Sequence, residues 1–92
     1  MPYLVMERTF DEPMSDSDLA HMGERLGPCL QDHSVQWLRS YLSLDRCRMI
    51  CTFQAADAES VRLAYRTAGY PFEQVWRAMV LPTDEGLAPP SA

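Results

Sequence analysis

The chain contains no lysine and no asparagine, and all eight of its basic residues are arginine. Without a side-chain amine there is no Schiff-base chemistry and no Walker-type phosphate loop. Without asparagine there is no N-glycosylation acceptor. No apolar run approaches the ~20 residues that a membrane-spanning helix needs. The N-terminus lacks the basic segment, apolar core and small-residue cleavage site of a secretory signal, so a cytoplasmic protein is expected. Histidine occurs only at His21 and His33. Their spacing supplies no preformed metal pair and no Ser/His/Asp set. The four glycines are scattered, so no phosphate-cradling loop is present. Three cysteines, Cys29, Cys47 and Cys51, form no C-x-x-C. An odd count of this kind argues against a disulfide framework or a zinc site. On one strand Cys47 and Cys51 would share a face about 13 Å apart, at ~3.3 Å per residue, too far for a bond or a shared metal. Buried free thiols are the default reading.

What remains is the composition of one small globular domain. The chain has 92 residues, 47% of them hydrophobic. That length suits a single domain with a modest core, which dimerisation would enlarge. The formal net charge of −5 argues against nucleic acid, whose phosphates call for a basic stripe, and against anionic membrane surfaces.

Hydrophobic periodicity gives six elements. Pro2 to Phe10 reads as a strand interrupted by Glu7 and Arg8. Ser15 caps a helix whose buried stripe is Leu19, Met22, Leu26 and Leu30, and Gly27-Pro28 predicts a kink or break in it. Val35 to Leu42 and Cys47 to Gln54 read as two strands of a hairpin, with Ser43 to Arg46 as the turn. Asp57 caps a second helix with the stripe Val61, Ala64, Tyr65 and Ala68, and Gly69 ends it. Glu73 to Leu81 reads as the last strand. A folded domain is expected over residues 1–82 and a flexible tail over 83–92.

The order β-α-β-β-α-β favours an α+β ferredoxin-like sandwich, a four-stranded antiparallel sheet of order 4-1-3-2 with both helices on one face. The other face is then open. Alternation puts Trp37, Arg39 and Tyr41 on one side of their strand, and Met49, Cys51 and Phe53 on one side of the next. Glu7, Trp37, Arg39, Tyr41, Cys51 and Phe53 are therefore the candidate ligand-binding residues, and Glu7 and Cys51 the candidate metal donors. An exposed apolar and aromatic face of this size marks an oligomer interface or a ligand site, so a homodimer packed sheet against sheet is expected. Each residue also has a plainer reading. Glu7 and Arg39 could form a structural ion pair, Trp37 and Tyr41 could be interface packing, and Cys51 among apolar neighbours would be an inert thiol. No catalytic constellation is present.

Several segments together resemble a group of small bacterial proteins that includes a nickel-binding protein. They are Glu7-Arg8-Thr9-Phe10, Val35-Gln36-Trp37-Leu38 with Ser40-Tyr41, Cys51 followed by Phe53, Asp57 to Arg62, and Gly69-Tyr70-Pro71. The resemblance spans about Tyr3 to Leu81. It implies a ferredoxin-like fold, a homodimer, and nickel or another divalent metal as cofactor. Relatives often carry histidine where this chain has Arg39 and Ala64. Neither replacement can ligate a metal, which counts against a nickel site built from imidazoles. Three functions stay open: a metal-binding or metal-response protein, a small-molecule-binding or enzymatic module using the sheet cavity, and a protein-interaction module.

Overall fold

A computed structural model describes residues 2–84 and Gly86. The elements run β1 (Tyr3–Thr9), α1 (Asp16–Asp32), β2 (Gln36–Leu42), β3 (Arg48–Gln54), α2 (Ala58–Ala68) and β4 (Gln74–Ala78). All strand pairs are antiparallel and the sheet order is β2-β3-β1-β4. This is the expected ferredoxin-like α+β fold, with the sheet order read from its other edge.

Strand alternation sorts the sheet into two faces. Leu4 and Met6 of β1 join Met49, Cys51 and Phe53 of β3 in one core with Met22, Leu26 and Leu30 of α1 and Val61, Ala64, Tyr65 and Ala68 of α2. Both helices therefore cover the same face. Tyr65 stands at its centre, with Phe53 and Phe72 edge-on to its ring at centroid distances of 6.0 and 6.1 Å.

Local signals fix the helix ends. Ser15 Oγ accepts from the Asp18 N–H, and the Asp18 carboxylate accepts from the Ser15 N–H, so two otherwise unpaired donors are satisfied at the start of α1. Asp57 Oδ1 accepts from the Ser60 N–H at the start of α2. Gly69 closes α2 at φ +83°, a left-handed conformation that a Cβ would strain.

Two expectations change. Helix α1 runs through Gly27-Pro28 without a break. Pro28 lies on the exposed side, so the carbonyl it cannot bond is open to water. Strand β4 ends at Ala78 rather than Leu81, because Ala78 pairs with Tyr3, where β1 itself begins. Beyond it Met79, Val80 and Leu81 have no strand to join and are about half exposed. Of the expected tail, Thr83 and Gly86 exchange backbone hydrogen bonds, and 87–92 lie outside the described residues. Among the described residues no helix is long and apolar enough to cross a membrane.

Candidate functional site

The candidate residues divide between the two faces of the sheet. Glu7 on β1 pairs across to Ile50 on β3 and Gln74 on β4. Tyr41 on β2 pairs with Ile50, and Arg39 pairs with Thr52, which in turn faces Val5. Residues directly opposite in an antiparallel ladder project to the same face. Glu7, Arg39 and Tyr41 therefore share the open face with Val5, Ile50, Thr52, Gln74 and Trp76.

Trp37, Cys51 and Phe53 do not join them. A β-bulge between Trp37 and Arg39 inserts a residue into β2 and shifts its alternation, so Trp37 pairs with Phe53 on the helix-covered side. There the Trp37 Nε1–H donates to Ser40 Oγ at 2.8 Å, and Ser40 Oγ donates to Cys51 Sγ at 2.8 Å. Trp37 also lines a shallow groove of about 480 Å3 with Leu30 and Val35. Cys51 and Phe53 are fully buried in the core. Burial pushes the Cys51 thiol up, which the Ser40 and Tyr65 hydroxyls only partly offset. It is a protonated core thiol rather than a ready ligand. The candidate metal pair Glu7 and Cys51 is thus not assembled, because the sheet lies between the two side chains.

On the open face, Glu7 Oε2 accepts from Gln74 Nε2 at 2.5 Å and from Trp76 Nε1 at 3.0 Å. These donors orient the carboxylate without neutralising it. The Arg39 pKa is raised above its ordinary value, chiefly by the nearby Tyr41 hydroxyl two residues along the strand. The salt bridges among the described residues are Arg46–Asp16, Arg62–Glu59 and Arg66–Glu59. Among the described residues neither Glu7 nor Arg39 has an oppositely charged partner. Around them stand exposed rings: Tyr41 is 56% exposed and Trp76 44%.

Two features lay outside the sequence reading. Gln74 and Trp76 are the residues that hold Glu7, and their period-two spacing on the last strand was the available signal. The other is Arg8, which is 5% exposed on the helix-covered side. Its guanidinium donates to Met22 Sδ at 3.2 Å and lies over the rings of Phe10, Tyr70 and Tyr65. Desolvation lowers its pKa, though an arginine stays charged at any ordinary pH. Beside it the buried Tyr65 hydroxyl adjoins Cys51 but makes no hydrogen bond of good geometry.

The model of the nickel responsive protein SCO4226-like family matches residues 3–77. The chain belongs to that family. Its fold is similar to the crystal structure of SCO4226 from Streptomyces coelicolor A3(2), with a TM-score of 0.76 over 85% of this chain and 96% of that one, at 12% identity. No curated protein matches the chain.

The family's name raises nickel, so the donors must be tested against it. Among the described residues no group of three or more His, Cys, Asp or Glu side chains could hold a metal ion. His21 is exposed on α1 and His33 caps its C-terminus, away from the open face. Arg39 lies on the open face, whereas Ala64 is buried under α2, so imidazoles at these positions would fall on opposite sides of the sheet. One chain offers the open face Glu7 and, beyond β3, the Tyr41 phenol, a set poor in the nitrogen ligands nickel prefers. Within one chain the residues present do not fit a nickel centre.

Proposed function

We propose that this member of the SCO4226-like family is a small homodimeric binding protein that encloses a small ligand between two open sheet faces. The observation that carries this reading is the pair of oppositely charged side chains on that face, Glu7 and Arg39, neither of which has a charged partner among the described residues. Both stand among exposed aromatic rings and a half-buried isoleucine. Covering these exposed charges would cost free energy unless whatever covers them also pairs them, so the face selects a polar or charged occupant. The Trp76 and Tyr41 rings supply apolar walls, and the Gln74 amide and Tyr41 hydroxyl supply polar groups that orient a ligand. These features of the face are those of a binding surface, so binding is the activity proposed.

The family's nickel responsiveness favours a second reading, a divalent cation. Glu7 alone is too few donors, so a cation would need Glu7 from two copies.

Protein purified without an affinity tag and analysed by mass spectrometry for bound metals and small molecules tests both readings. A bound organic molecule, or a thermal shift in a ligand panel that Trp76→Ala removes, supports the first. Near-stoichiometric nickel, copper or zinc lost in Glu7→Gln supports the second. Metal content near zero together with no ligand response sinks the binding function.

A further inference from the structure

The registers place Glu7 and Arg39 on the same face but two strands apart. Glu7 is level with Ile50 and Tyr41, whereas Arg39 is level with Thr52 and Val5, two residues further along. Neighbouring strands lie about 4.8 Å apart and residues rise ~3.3 Å, so the two Cα atoms stand about 12 Å apart. Across its own sheet neither group pairs with the other. Glu7 is held by Gln74 and Trp76, and Arg39 stands near the Tyr41 hydroxyl.

We infer that Glu7 of one copy pairs with Arg39 of a second copy, twice per dimer, across the open faces. The occupant of the face is then another copy of this chain, and the reason is charge complementarity. Two copies laid face to face are related by a twofold axis running between the sheets. An axis crossing midway between Glu7 and Arg39, perpendicular to the line joining them, exchanges the two positions. If Glu7 meets Arg39 of the second copy, symmetry brings Arg39 opposite the second copy's Glu7 as well. One operator thus neutralises all four charges. Between them lie Ile50, Thr52 and Val5, which the same packing covers, and the exposed rings of Tyr41 and Trp76 fill the rim of the contact. The donors on Glu7 hold its carboxylate on the open face. Arg48 is on this face too, level with Thr9, whose N–H and hydroxyl bind the Glu73 carboxylate. It is therefore the control position.

This inference rests on the homodimer proposed above and adds which residues close it. Charge reversal tests it, because a reversed pair can be re-formed. Sedimentation equilibrium would compare the wild type with Glu7→Arg, Arg39→Glu, the double variant Glu7→Arg/Arg39→Glu, and Glu7→Arg/Arg48→Glu. Both positions are at the surface, and circular dichroism checks each fold. Each single reversal should raise the dimer dissociation constant by about tenfold or more, the scale of truncating a close interfacial charge pair. Glu7→Arg/Arg39→Glu should restore it to near the wild-type value, and Glu7→Arg/Arg48→Glu should not. A dimer indifferent to the single reversals, or one rescued through Arg48 instead, overturns the pairing and leaves the homodimer standing. A wild type that sediments as a monomer at all concentrations overturns both.

Discussion

Replacing Tyr65 with phenylalanine should make this protein more stable. The hydroxyl is fully buried and has no hydrogen-bond partner of good geometry. A buried polar group left unpaired costs about 1–3 kcal/mol, because water that would have bonded it is excluded. Removing it deletes that cost and leaves the ring where it is. The edge-on contacts to Phe53 and Phe72 persist, as does the Arg8 guanidinium 6.0 Å from the ring centroid. What is lost is a handful of dispersion contacts around one oxygen, on the order of 0.5 kcal/mol in all at ~0.1–0.2 kcal/mol each. The balance is a gain of about 1 kcal/mol. For a domain of this length that raises Tm by roughly 4–8 °C. Urea denaturation of Tyr65→Phe should show a higher midpoint with an unchanged slope, since the surface exposed on unfolding is the same. A variant destabilised by about 1 kcal/mol or more refutes the reasoning. The hydroxyl would then have a bonded partner in solution, and the space between Tyr65, Cys51 and Arg8 would hold a water or a small ligand.

Other perturbations follow from the same packing. With Ellman's reagent on the native protein, the half-buried Cys29 and Cys47 should react and the buried Cys51 should not, until denaturant is added. Rapid reaction of all three thiols would contradict the core position of Cys51. Leu26→Ala removes a fully buried side chain at the centre of the α1 stripe and should cost about 3 kcal/mol, read from the urea midpoint. Gly69→Ala should cost about 1 kcal/mol by forcing a Cβ onto the left-handed cap, although the nearest atom is an Arg25 side-chain nitrogen at an ordinary 3.6 Å. The carboxyls of Asp18 and Asp57, bonded chiefly by backbone N–H groups, and of Asp45, bonded chiefly by the Ser43 hydroxyl, lie below the ordinary value. A depressed carboxyl means the unfolded chain takes up protons first. Their contribution is therefore complete above about pH 4 and is lost as pH falls through the folded values. A Tm that does not fall more steeply below pH 4 in the wild type than in Asp57→Ala would count against that cap.

The helix-covered half of the molecule was legible because its signals are local. The α2 stripe, Val61, Ala64, Tyr65 and Ala68, is buried as its spacing predicts, and the caps at Ser15, Asp57 and Gly69 do what their side chains allow. The open face was harder to read. Period two assigns residues to a common face only while the ladder is regular, and the bulge after Trp37 breaks it without any glycine to announce it. That single insertion moved Trp37 to the other side of the sheet from Arg39 and Tyr41. For Cys51 and Phe53 the pattern was correct and the face was not. Their set, with Met49, is uniformly apolar, whereas Arg48, Ile50, Thr52 and Gln54 are mixed, and the apolar set takes the core. Gln74 and Trp76 became visible as partners of Glu7 only once β4 had a register against β1.

The dipeptide Glu7-Arg8 shows why two charges in this fold lack ionic partners. Adjacent residues in a strand point to opposite faces, so this pair cannot neutralise itself. Arg8 is committed to the core and finds three aromatic faces and a thioether in place of a carboxylate. Three desolvated cation–π contacts, at ~0.5–2 kcal/mol each, are of the same order as the several kcal/mol that burying the ion costs. Arg8 can therefore remain buried without an anion. Glu7 has no such alternative. Its neighbours are an amide and an indole, which donate hydrogen bonds but carry no charge, and ring faces repel an anion. A register slip of one residue would exchange the two environments, putting an unpaired carboxylate among the rings, so the dipeptide also fixes the register of β1. Of the two charges, only the one on the open face remains accessible to a cation from outside the chain, and that makes the surface around Glu7 the place to look for function.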